Sequence, residues 1–139
     1  MEQRSLIWKL ATFGALGALL AGAAAVMARP TATVSPAAAP PGVRIRVQVL
    51  NATATRGLAR RATVYLRDRG FDVVDVATAR QGRDSTLVID RSGHPEWARL
   101  VARALGGAGV ESRLDSSRYL DVTVLVGRDW TPPSEPFYP

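Results

Sequence analysis

Hydrophobic and polar positions change period several times along this chain, and each change marks an element. Val43, Ile45, Val47 and Val49 alternate with Arg44, Arg46 and Gln48, the period-two pattern of a strand with one buried and one wetter face. Asn51, Thr53 and Thr55 follow as a polar loop, and any of the three could cap a helix by accepting a bond from its free N–H groups. Leu58, Ala62, Tyr65 and Leu66 then recur at helical spacing, with Arg56, Arg60, Arg61, Arg67 and Asp68 mostly opposite them and Gly70 as the stop. Phe71 to Ala77 reads as a valine-rich return strand whose apolar parity shifts at Val73 and Val74, which implies a bulge or cover on both faces.

A polar loop from Thr78 to Asp84 leads into a third strand, Ser85 to Ile89, with Leu87 and Ile89 on one face and Thr86 and Val88 on the other. Pro95 suits the first turn of a second helix, whose apolar stripe is Trp97, Leu100, Val101, Ala104 and Leu105. Gly106 to Gly109 breaks it. Val110, Ser112 and Leu114 then form a short strand, and Val122, Val124 and Val126, bounded by Asp121 and Gly127, the last one. The order strand, helix, strand, strand, helix, strand, strand predicts an α/β (α+β) domain: a single mixed sheet of four to five strands with two helices on one face. Right-handed crossovers constrain its parallel pairs.

Upstream the pattern is different. No charge falls between Leu10 and Ala28, and a helix of that length measures about 28 Å, close to the hydrocarbon thickness of a bilayer. Arg4 and Lys9 precede the run and only Arg29 closes it, which favours a cytoplasmic N-terminus and an exported remainder. A cleaved signal peptide is the rival, since Val26-Met27-Ala28 resembles a cleavage site. The apolar run nevertheless exceeds the usual h-region of about 7 to 15 residues, so a retained signal anchor is favoured. The expected organisation is a short cytoplasmic N-terminus (1–9), a transmembrane helix (10–28), a Pro/Ala-rich linker (29–42), a folded domain (43–130) and a Pro-rich tail (131–139). The protein is thus expected in the cell membrane as a single-pass chain with its C-terminal domain extracytoplasmic, periplasmic where a periplasm exists.

Composition narrows the chemistry. There is no cysteine among the 139 residues, which excludes disulfides, thiol nucleophiles and thiolate metal sites. The net charge of the chain is +6, and the positive residues after Val43 are all arginines interspersed with Asp and Glu, so nucleic acid is not expected as a partner; the excess arginine reads first as a solvated surface and second as a weak attraction to anionic glycans or lipid headgroups. A folded part of roughly 90 residues buries an adequate core without staples.

Three stretches, VQVLNATATRGLA, RDRGFDVVDV and DVTVLVGRDW, together resemble the LytR C-terminal domain family. The resemblance rests on Val49, Leu50, Asn51; Gly57, Leu58, Ala59; Gly70, Phe71, Val73; and Gly127, Asp129, Trp130, with Ala52 standing where the family usually has glycine. It spans most of Val43 to Trp130. It implies a module found behind LytR/CpsA/Psr catalytic domains and in short membrane-anchored proteins. This chain looks like the short kind, with no room for the catalytic domain. The implied role is therefore non-catalytic: binding or scaffolding of a cell-wall glycan, an anionic polymer or envelope proteins, with no cofactor.

Among individual residues, Asn51, Thr53, Thr55 and Arg56 are the candidate ligand-binding set. They place an amide, hydroxyls and a cation where a strand end meets a helix N-terminus. The set lacks the Walker and GxGxxG patterns, and turn closure by Asn51 with capping by Thr53 or Thr55 accounts for the same residues. The alternative is a small exported hydrolase or transferase using Asp90, His94 and Glu96, although a lone histidine with scattered carboxylates fits no zinc site or triad. An oligomeric structural subunit joined through the membrane helix or a sheet edge is a third reading. His94, between Gly93 and Pro95, reads more simply as the start of a helix, and Ser92 as a cap or turn residue. Trp97 belongs to a core stripe, Trp130 fits packing or display, and the pairs Arg60/Arg61 and Arg67/Arg69 read as a solvated helix face.

Overall fold

The computed structural model describes residues 37–133; the segment 10–28, linker residues 29–36 and tail residues 134–139, including Phe137 and Tyr138, lie outside the described residues. Among the described residues no helix is long and apolar enough to cross a membrane. The elements run β1 (Arg46–Asn51), α1 (Leu58–Arg67), β2 (Asp72–Thr78), β3 (Leu87–Asp90), α2 (Pro95–Ala104), β4 (Gly109–Ser112), a single 3-10 turn (Ser116–Arg118) and β5 (Val122–Val126). This is the expected element order with one 3-10 turn added.

The five strands form one mixed sheet in the order β2-β1-β5-β3-β4. β1 lies parallel to both β2 and β5, β3 is antiparallel to β5, and β4 is parallel to β3. A right-handed crossover fixes the direction in which the chain steps across a sheet for a helix on a given face. Because β1 and β3 run in opposite directions, the two crossovers step outward to opposite edges and still lay both helices on the same face. The strand that closes the chain, β5, fills the gap between them.

On the helical face, Val47, Val49, Val122, Val124, Val126 and Val88 meet Leu58, Ala62 and Leu66 of α1 and Ala98, Val101 and Ala102 of α2 in one buried cluster. Burying a valine fully is worth about 1.5 kcal/mol or more, so this layer supplies much of the driving force. The helices also meet directly, through the Tyr65 hydroxyl donating to the Ala104 carbonyl at 2.7 Å. The parity shift at Val73 and Val74 is a bulge: Val47 pairs with Val73 and Gln48 with Asp75, which leaves Val74 unpaired and 47% exposed.

The alternation in β1 predicts a wetter second face, and there the structure differs. Gln48 and Thr123 are buried, and they belong to a polar row that runs from β2 across β1 and β5 to Arg91 and Arg113, the residues just beyond the ends of β3 and β4. Gln48 Nε2 donates to Asp75 at 2.6 Å, the Thr123 hydroxyl donates to Gln48 Oε1 at 3.3 Å, Arg91 Nε donates to Thr123 Oγ1 at 3.2 Å, and Arg91 Nη1 reaches the Arg113 carbonyl. The buried Gln48 and Thr123 side chains thus keep their hydrogen-bond partners, which is what makes their burial tolerable.

Two arginines expected on a solvated helix face are also engaged. Arg67 Nη2 donates to the Val73 carbonyl, and the Arg69 guanidinium lies 3.4 Å over the Tyr65 ring while Nη1 donates to the Tyr65 carbonyl. Their stems reach back across the α1–β2 connection because that connection is tight. Linker residues Ala37 and Ala39 pack against the core cluster, and the Ala39 N–H donates to the Arg69 carbonyl at 2.9 Å, so close packing begins six residues before Val43.

The starts of β1 and β5 are clamped by Asp121. Its carboxylate accepts the Arg46 backbone N–H at 2.8 Å and the Arg46 guanidinium at 3.0 and 3.2 Å. Burial pushes the Asp121 carboxyl up, but those hydrogen bonds and the Arg46 charge outweigh it and hold the carboxyl below its ordinary range. A carboxylate with a depressed folded pKa stabilises the fold above its unfolded value of about 3.9, and that stabilisation is lost as pH falls through the folded value. Melting curves stepped from neutral to acid should therefore show the thermal midpoint falling below about pH 4, with a shallower fall in Asp121→Asn. Parallel curves for the two proteins would show that the clamp does not drive the acid transition.

Candidate functional site at the carboxyl end of the parallel strands

β1 ends in a turn that Asn51 builds by itself. Its Oδ1 accepts both the N–H and the hydroxyl of Thr53, at 3.0 and 2.8 Å, and its Nδ2 donates to the Thr55 carbonyl at 2.8 Å. Thr53 Oγ1 then accepts the Thr55 N–H at 3.1 Å. Turn closure by Asn51 is as the sequence implies, but neither threonine caps α1. The cap position falls to Gly57, at φ 78, with no side-chain acceptor. The reason is that Asn51 consumes the Thr53 groups within the turn, leaving the chain to reverse into the helix through a left-handed residue that glycine adopts freely.

Arg56 projects from this turn, exposed and without a hydrogen bond or ion pair among the described residues. Backbone bonds tie the same end of the sheet together. The Ala79 N–H donates to the Asn51 carbonyl at 2.9 Å, Arg83 to Ala52 at 2.8 Å, and Arg128 to Arg83 at 3.2 Å. Arg56, Arg80, Arg83 and Arg128 thus share one end of the fold, although they span 73 positions of sequence. Asp84 pairs with Arg128 at 3.0 Å, but both side chains are largely exposed and the pair is weak. Asp129 is committed elsewhere. The set Asn51, Thr53, Thr55, Arg56 is therefore one lip of a larger basic rim. Sequence reasoning missed Arg80, Arg83 and Arg128; their only local signal is a position beside turn glycines Gly82 and Gly127.

The rim is held by a clasp between β5 and the approach to β3. Asp129 Oδ1 accepts the Thr86 N–H and hydroxyl, each at 2.8 Å, and Thr86 Oγ1 accepts the Gly127 N–H at 3.0 Å. Trp130 turns back onto the helical face, 7% exposed, with its ring 5.9 Å from Tyr65 in an edge-on arrangement. Of packing and display, the structure gives packing. With Thr86 serving the clasp, the third strand starts at Leu87, two residues later than its alternation implies.

Asp90, His94 and Glu96 do not form a constellation. Asp90 is 1% exposed, and its Oδ1 accepts the backbone N–H groups of Ser92, Gly93 and His94 at 3.0, 3.0 and 3.2 Å, shaping the approach to α2. His94 is the residue before Pro95, as its neighbours imply, and its ring stacks on Trp97 with centroids 4.0 Å apart. The ring also contacts Glu96 at 3.0 Å, with both groups about half exposed. The Glu96 backbone N–H and the His94 ring hold the Glu96 carboxyl below its ordinary range. No hydrogen bond joins Asp90 to either side chain. Trp97 is partly buried against the core, and Ser92 is a turn donor. Among the described residues no group of three or more His, Asp or Glu side chains is placed to hold a metal ion.

Comparison with known proteins agrees with the sequence resemblance. The profile of a family described as LytR cell envelope-related transcriptional attenuator, LytR_C, matches residues 44–130. The C-terminal domain of RV0431, solved in solution, is 33% identical with a TM-score of 0.43, over 67% of this chain and 80% of that one. The soluble domain of a conserved hypothetical secreted protein from Mycobacterium marinum, an Rv2700 ortholog, is 20% identical with a TM-score of 0.45, over 63% of this chain and 61% of that one. A search of curated proteins found no match.

Proposed function

The chain belongs to the LytR C-terminal domain family of envelope-associated proteins, and from that membership we propose that it is a membrane-anchored, non-catalytic binding module for an anionic cell-wall polymer. The observation that supports this reading is the basic rim of Arg56, Arg80, Arg83 and Arg128, built on backbone-linked loops at the carboxyl ends of β1, β2 and β5. Open α/β sheets commonly take ligands outside the carboxyl ends of their strands. Guanidinium groups suit phosphate and carboxylate because their donors match those oxygens in pairs. The Asn51 turn adds the exposed Thr55 hydroxyl, which could bond a polyol or glycan, on a backbone held by its N–H to Thr53 and its carbonyl to Asn51. In this reading residues 10–28 hold the module at the membrane, and the same surface could serve envelope proteins carrying acidic segments.

The test is co-sedimentation of the full-length protein, in detergent, with purified peptidoglycan carrying or stripped of its anionic polymer. Binding should depend on the polymer and weaken steeply as salt rises. Arg56→Glu should weaken it several-fold with an unchanged thermal midpoint, because an exposed, unbonded side chain contributes neither packing nor buried charge. Equal sedimentation of the variant and the parent would remove Arg56 from the site, and no sedimentation with either preparation would overturn the polymer reading.

A further inference from the structure

The opposite end of the sheet carries a different surface. Segments 37–44, 68–71, 91–94 and 113–121 meet there, linked by backbone bonds from Ala39 to Arg69, Arg91 to Asp121, Asp115 to Arg91 and Asp121 to Arg46, each of 2.9 or 3.0 Å. The two most exposed large apolar side chains of the described residues both lie on this end, Leu114 at 67% and Tyr119 at 78%. They flank the 3-10 turn Ser116–Arg118, and Tyr119 has φ 52, the one left-handed non-glycine residue described. That conformation is costly for a side chain with a Cβ and turns the Tyr119 ring outward while Leu120 beside it is buried. Arg113 and Arg118 border the pair, with side chains 57% and 63% exposed, each in a weak, solvent-screened pair, Arg113 with Glu111 and Arg118 with Asp115, that a lipid phosphate can replace.

We propose that the Arg113–Tyr119 loop docks on the headgroup region of an anionic bilayer. The proposal rests on the reading of residues 10–28 as a membrane anchor. Residues 37–42 pack on the folded body, so eight residues, 29 to 36, remain as the tether, and eight residues at full extension span no more than about 29 Å. On that reading the end of the fold at which residue 37 joins stays within about 29 Å of the lipid surface, within reach of docking, and Leu114 and Tyr119 are on that end. Leucine enters the acyl boundary, a tyrosine ring settles at headgroup level, and arginine stems lie along apolar surface while their guanidinium groups pair with lipid phosphates. Docked in this way, the module turns its basic rim away from the membrane and toward the wall.

The chain has no cysteine, so Ser116→Cys and Ala54→Cys each give a single site for a fluorophore, one at either end of the sheet. The labelled full-length proteins are reconstituted in phosphatidylcholine vesicles with or without phosphatidylglycerol, doped with a headgroup nitroxide quencher. Quenching at position 116 should exceed that at position 54 several-fold in vesicles containing phosphatidylglycerol. The excess should vanish when Leu114→Asp and Tyr119→Asp are combined in the same tethered chain. Both side chains are exposed, so circular dichroism of that variant should match the parent, and a variant that melts early is replaced by Leu114→Ser with Tyr119→Ser. Vesicle flotation after an alkaline wash reads the anchor separately. A chain that fails to float overturns both the anchor and the docking. A chain that floats but shows equal quenching at the two sites, or quenching unaffected by the paired substitution, overturns the docking alone and leaves the loop as a surface for a protein partner.

Discussion

Gly127→Ala is expected to lower the thermal midpoint by about 15 to 30 °C, or to prevent cooperative folding, the largest effect of any glycine-to-alanine change among the described residues. A Cβ at position 127 would overlap the Ser85 carbonyl carbon and lie 2.6 Å from the Thr86 nitrogen and 2.8 Å from the Ser85 oxygen. All three are backbone atoms, so no side chain can swing aside. Relief requires β5 to part from the approach to β3, which also breaks the Gly127 to Thr86 bond and draws Asp129 from its two partners. A cost of about 4 kcal/mol or more follows from that combination. Gly57→Ala is the control. Gly57 has φ 78 and open space around a built Cβ, so alanine there should cost only the left-handed strain of about 1 to 2 kcal/mol. Thermal melts of the two variants separate the space requirement from the dihedral one. Similar midpoints would mean that the clasp yields more than its backbone contacts imply.

The second large effect is expected at Asp90. Alanine there strands the N–H groups of Ser92, Gly93 and His94 beside a site that is 1% exposed, and it removes a carboxylate from the positive end of α2. A loss of about 3 kcal/mol is expected, whereas Asn, which keeps an acceptor oxygen, should cost about 1 kcal/mol. The ranking carries the functional point. A buried carboxylate whose oxygen already holds three backbone donors is a structural brace, and its substitution should change stability before anything else. If Asp90→Ala melted like the parent, the brace would be refuted and the carboxylate would again be a group available for chemistry.

The residues of the family resemblance acquire a physical meaning through these contacts. Gly127 is required for a close approach, Asp129 for two hydrogen bonds to Thr86, Trp130 for packing on Tyr65, and Asn51 for closing a turn. Each is mainly a device of the fold. Of the arginines around them, Arg83 donates to the Ser85 carbonyl at 3.3 Å and Arg128 forms an exposed pair with Asp84, while Arg56 and Arg80 have no side-chain partner among the described residues. Reading the Asn51 turn from sequence singled out Arg56 but not the three arginines that the fold brings to the same end. Arg80, Arg83 and Arg128 sit in loops without periodicity, and nothing local distinguishes them from other surface arginines.

What the linear order of residues determined by itself is the set of elements. The alternation of Val43 to Val49, the stripe of Leu58, Ala62 and Leu66, the parity shift at Val73 and Val74 and the break after Leu105 all express backbone geometry within a few residues of themselves, and sequence carries such relations directly. Tertiary structure alone decided the rest. Gln48 and Thr123 are 75 positions apart, as are Arg46 and Asp121, and they meet only because β5 enters the sheet between β1 and β3. Whether a polar side chain on an alternating strand faces water or a partner depends on that neighbour, and so does the space left at Gly127. The energies of desolvation and steric overlap are set by atoms brought together across the sheet, and no window along the chain contains both members of those pairs.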